Sequence, residues 1–113
     1  TALIFYTRKG QAMPITVSSR DSALTIALSG EIDHHAAREL MAQLDQAIAE
    51  RLPAHLVLDL SGVTFMDSSG IAVLLRARRQ LGHTGGVLRV TNIPAQARRV
   101  LDAAGIGRLI SLE

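Results

Sequence analysis

Cysteine and tryptophan are absent from this chain of 113 residues, and each absence removes a class of chemistry. Without cysteine there is no disulfide framework, no thiolate metal site and no cysteine nucleophile. Phe5, Tyr6 and Phe65 are the whole aromatic complement, which leaves little for base stacking. No window approaches the ~18 consecutive apolar residues of a membrane helix, and Leu3 to Tyr6 is too short for the apolar region of an export signal. Neither sign of charge dominates: 12 Lys+Arg against 10 Asp+Glu give a formal +2. The sequence pI of about 9.9 reflects how late arginine titrates, and +2 is a weak argument for nucleic acid. These absences predict a cytoplasmic chain with no membrane insertion and no direct nucleic-acid partner.

What is present is apolar content, 48% of residues, enough for one core in one domain. Residues 1–12 look unlike the rest and read either as an N-terminal extension or as an added edge strand; the domain proper spans 13–113. Ile15 and Val17, then Leu24, Ile26 and Leu28, alternate with polar residues as half-buried strands do. Ser18 to Ser22 reads as the turn between them, and Ser29-Gly30 as the end of the second strand. Asp33 caps a helix to about Arg51. At about 100° per residue, Ala36, Ala37, Leu40, Met41, Leu44, Ala47, Ile48 and Leu52 fill one arc of roughly 160°. Gln43 falls on the polar side. His55–Leu60 is nearly continuous apolar sequence, as in a strand buried on both faces, and Ser61-Gly62 reads as a turn. A second helix opens at Asp67 and runs to about Leu81, a strand occupies Val87–Thr91, and Pro94 starts a third helix. Gly105 with Ile106 behind it reads as a glycine C-cap, and Leu109–Leu112 as a last strand. Two strands followed by helix–strand alternation predict an α/β fold: a mixed β-sheet of about four to five strands, with three or more helices packed mainly on one face.

The segment Asp67-Ser68-Ser69-Gly70 stands where a strand hands over to a helix. Such carboxyl ends collect function in open α/β sheets, and helix N-termini favour anions. Capping alone also explains it. On the helical wheel Ile71, Leu74, Leu75, Ala77 and Leu81 form the stripe expected to face the sheet. Ser69 lies opposite, with Ala72, Val73 and Arg76, which favours a docking surface over a cap alone. Arg78 sits within the apolar stripe, its stem expected to cover the core edge.

Two stretches, Gly30-Glu31-Ile32-Asp33-His34-His35 and Val63-Thr64-Phe65-Met66-Asp67-Ser68-Ser69-Gly70, resemble the STAS domain of anti-sigma factor antagonists, the sporulation and stress-response type. The resemblance runs from about Ile15 to Leu112 and takes in the Gly85-Gly86 turn and the Pro94 helix. It implies a phosphorylation switch. The unphosphorylated antagonist binds an anti-sigma factor that is itself a serine kinase, and frees the sigma factor. Phosphorylation of the motif's second serine, here Ser69, inactivates it, and a PP2C-type phosphatase resets it. The partner-binding residues so implied are Asp33, His34, Asp67, Ser68, Ser69, Ala72, Val73 and Arg76. Ala72, Arg76 and Arg78 depart from the glycine or aromatic residues frequent in such relatives, which bears on partner identity.

The rivals are poorer. Neither Ser68 nor Ser69 sits in G-x-S-x-G, and nothing places His34, His35, His55 or His83 beside Ser69 as a base. His34-His35 lacks metal-ligand spacing. No G-x-x-x-x-G-K-[ST] is present, and Gly105-Ile106-Gly107 lacks the third glycine of a dinucleotide fingerprint. No enzymatic activity, cofactor or metal is therefore expected. The alternative function lies within the same fold: a STAS-like subunit of another complex, such as a lipid-transport ABC system, in which Ser69 only packs or caps.

Overall fold

A computed structural model describes the backbone of residues 3–6 and 12–20 and all of residues 23–113. β1 (Leu3–Tyr6) pairs antiparallel with β2 (Ala12–Arg20), and β2 antiparallel with β3 (Ala23–Ile32). The β2–β3 ladder keeps Ser18, Ser19 and Arg20 in register with Thr25, Leu24 and Ala23. The expected turn thus begins as strand, and its residues 21 and 22 lie outside the described ones. α1 (His34–Arg51), β4 (His55–Met66), α2 (Ser68–Gly82), β5 (Val87–Thr91), α3 (Ala95–Ala103) and the short β6 (Ser111–Leu112) complete the order. The sheet runs β1-β2-β3-β4-β5-β6, with β3 to β6 parallel.

The three crossovers step the same way along the sheet, so their right-handedness places α1, α2 and α3 on one face. Against them lie Leu24, Ile26, Leu28, Leu56, Leu58, Leu60 and Val90, none more than 1% exposed. The reverse face is open: Thr25, Val57 and Asp59 are half-buried, and His55, Val87 and Arg89 are exposed. The expectation that His55–Leu60 is covered on both sides is therefore corrected. Among the described residues the helices form one layer, and β4 alternates accordingly.

The expected strand end at Ser29-Gly30 and the expected turn at Ser61-Gly62 are both irregularities within strands. β3 passes through Ser29 and Gly30 to Ile32, Gly30 taking φ 80°. β4 passes through Ser61 and Gly62, and the β3–β4 register shifts between Ala27 and Ser29 and again between Gly30 and Glu31. A Cβ at Gly62 would stand 2.6 Å from Cβ of Ser29, so only glycine lets the bulged strands approach. α1 ends at Leu52, which is left-handed (φ 44°) and 62% exposed rather than part of the buried arc. Gln43, placed by periodicity on the polar side, is buried at 8% exposure. α1 packs against α2 as well as the sheet, so more than one flank is covered.

Candidate functional site

Parallel strands end level with one another, and here the level edge carries two helix starts. Ile32 pairs with Met66 at the last rung of β3–β4, and the Asp67 N–H donates to the Ile32 carbonyl at 3.4 Å. Asp33 and Asp67 follow directly, each extended and each capping its helix. Oδ1 of Asp33 accepts from the Ala36 N–H at 2.9 Å, and Oδ1 of Asp67 from the Ser69 N–H at 2.8 Å. The Ala36 N–H, aided by His35, holds the Asp33 carboxyl below the usual carboxylate range. His34 and His35 are exposed in the first turn of α1, their rings edge-on at 6.1 Å.

The turn between β4 and α2 is fixed from two sides. The Met66 N–H donates to Oε1 of Gln96 at 2.9 Å, and Nε2 of Gln96 returns a bond to the Met66 carbonyl at 2.8 Å. The first turn of α3 thus takes the place of a strand beside Met66. From below, Met66 packs so closely on Gly70 that a Cβ there would meet its Cγ at 2.5 Å. The glycine of Asp67-Ser68-Ser69-Gly70 is therefore set by contact with the buried Met66 (1% exposed). Gln96 carries no sequence signal, because its partner is a backbone 30 residues away.

Asp33, His34, Asp67, Ser68 and Ser69 share this edge, with Ser68 and His34 exposed and Ser69 half-buried. Ala72 is exposed one turn further on. Two expected members do not belong to the surface as expected. Val73 is 1% exposed, since α2 is rolled toward α1, which covers that flank; Leu75, expected inside, is 36% exposed. Arg76 is committed elsewhere: its Nη2 lies 2.6 Å from Oδ2 of Asp45 on α1, with Nε at 3.0 Å. Seven residues from Ser69, it stands about 10 Å further along the axis. Arg78 leaves the core edge to donate from Nε to the Leu109 carbonyl at 3.0 Å. Among the described residues no three of His, Asp and Glu converge as a metal site would need, and no helix is long and apolar enough to cross a membrane.

Comparison with known proteins follows the same lines. The family model of the STAS domain matches residues 14–113. An anti-sigma F factor antagonist of Paenibacillus polymyxa is 33% identical over 100 residues, covering 88% of this chain and 86% of its own. Among solved structures, an anti-sigma factor antagonist from Mycobacterium paratuberculosis superposes with TM-score 0.78 at 30% identity, over 87% of this chain and 82% of its own. The Bacillus cell fate determinant SpoIIAA in its phosphorylated form gives TM-score 0.67 at 26% identity, over 88% of this chain and 90% of its own.

Proposed function

The chain belongs to the STAS domain family, and on that premise we propose that it is an anti-sigma factor antagonist switched by phosphorylation of Ser69. Unphosphorylated, it binds an anti-sigma factor that is a serine kinase and frees the sigma factor. Phosphorylated by that kinase, it lets go, and a PP2C-type phosphatase restores it. It is a binding module and not an enzyme. The relatives' names support the partner class, and a related protein in phosphorylated form supports the modification.

The observation that carries this reading is the position of the two-serine turn. Asp67 to Gly70 opens α2 on the sheet edge beside the α1 cap, clamped from behind by Gln96 and Met66. A rigid turn presents one hydroxyl in one place. Phosphate adds about −1.5 to −2 charges, and the backbone N–H groups of the first turn tolerate them. The Asp67 carboxylate already occupies the Ser69 N–H and repels the newcomer. Arg76, tied to Asp45, supplies no counter-charge. A partner covering Asp33, His34, Ser68, Ser69 and Ala72 would have to desolvate a dianion without a cation beside it. Such penalties reach several kcal/mol, and each 1.4 kcal/mol is tenfold in affinity.

The test is tandem mass spectrometry after incubation with ATP and the anti-sigma kinase. Phosphate is expected on Ser69 and lost in Ser69→Ala. Phosphate on Ser68 instead, or on neither serine, refutes the assignment.

A further inference from the structure

The outward side of α2 carries a seam that starts at the serine turn and continues well beyond it. Ser68, Ala72, Leu75, Arg79 and Gly82 recur at spacings of four, three, four and three, the interval at which one helix receives another. All five are exposed, and so is His83 beside them. Ala72, Leu75, Arg79, Gly82 and His83 border a surface depression of about 810 Å³ whose lining also takes in Met41 and Arg76. Its apolar members are Met41, Ala72 and Leu75; its polar members are cationic or histidine, and no carboxylate lines it among the described residues. Asp45, the acid nearby, is spent on Arg76.

We propose that this face of α2 docks an acidic amphipathic helix of a partner protein. Met41, Ala72 and Leu75 form a short apolar strip flanked by Arg79 and His83, which an amphipathic helix with acidic flanks complements. Ala72 to His83 spans eleven steps, about 17 Å or three turns of contact. Arginine at a seam position selects a partner with a carboxylate opposite. A second copy of this chain is disfavoured by the same charges, because pairing α2 with α2 brings two cationic faces together. The depression begins at Ala72, beyond both serines, and its occupation by a peptide requires no phosphorylation of Ser69.

The probe is a stapled helical peptide of about 15 residues, leucine on its seam and glutamate flanking, titrated into the isotope-labelled chain. A twin with lysine in place of glutamate is the control. Saturable amide shifts are expected at Ala72, Leu75, Arg79 and His83 with the acidic peptide, and none with the basic one. Arg79→Glu should weaken binding at least about tenfold, and Leu75→Ser should weaken it too. Equal binding of both peptides, no saturation, or shifts centred away from α2 overturns the proposal. So does sedimentation showing that the chain self-associates and that Leu75→Ser abolishes it.

Discussion

Gln96 is half-buried in the first turn of α3, and its amide replaces a missing strand at Met66. Gln96→Ala removes both bonds and leaves the Met66 N–H and carbonyl to whatever water can enter. A hydrogen bond is worth about 1 kcal/mol net, and a buried group left unpaired costs ~1–3 kcal/mol. With water repaying part of this, the expected loss is about 2 kcal/mol. A urea m-value of about 1.5 kcal/mol/M converts that to a fall of about 1.3 M in the midpoint, with m unchanged. The loss should also be local: in native-state hydrogen exchange the Met66 amide should lose protection beyond the global change, while the Leu58 amide follows the global value. Gln96→Glu should be destabilising too, because it replaces the donor facing the Met66 carbonyl with an acceptor. A midpoint within 0.3 M of the parent, or a Met66 amide as protected as before, would show that the clamp does not hold the turn.

The other predictions concern the same edge. Gly70→Ala should destabilise by about 1–2 kcal/mol despite alanine's better helix propensity, because Met66 must move; the penalty should shrink in a Met66→Ala background, and a cycle without coupling refutes the contact. Asp33 is held below its ordinary pKa when folded, so its contribution is present above the unfolded value of about 3.9 and is lost as pH falls through the lower folded value. Asp33→Asn keeps an N-cap but does not titrate, and thermal melts should show a flatter acid limb than the parent; parallel profiles refute this. Ser69→Asp should melt like the parent within a few degrees yet bind the anti-sigma kinase at least about tenfold more weakly, whereas Ser69→Ala should bind persistently; calorimetric titration distinguishes them.

Helix starts are legible in a sequence because the chemistry that makes them is local: Asp33 and Asp67 bond to N–H groups two or three residues on, and Pro94 opens α3 with its fixed φ. The mixed sheet and the single helical layer follow from the alternation after β3. Burial phase is less legible, since the wheel of α2 cannot know that α1 lies on the Val73 flank and leaves Leu75 outside. Ser29-Gly30 reads as a strand end and Ser61-Gly62 as a turn because glycine marks endings, reversals and bulges alike; what distinguishes them is the 2.6 Å approach across two strands. The Asp67–Gly70 turn was readable as a motif, but the Gln96 amide that holds it was not.

Strand order in this sheet is also chain order, from β1 at one edge to β6 at the other. No strand has to be inserted between two already paired, so a chain leaving the ribosome adds each strand to a free edge. The turn at Asp67, however, waits for α3: Gln96 follows Met66 by 30 residues, about 3 s of synthesis at ~10 residues per second. During that interval β5 is made and can join the free edge of β4, while the serine turn still lacks its clamp. The edge carrying Asp33 and Asp67 is thus complete only once the first turn of α3 has been made.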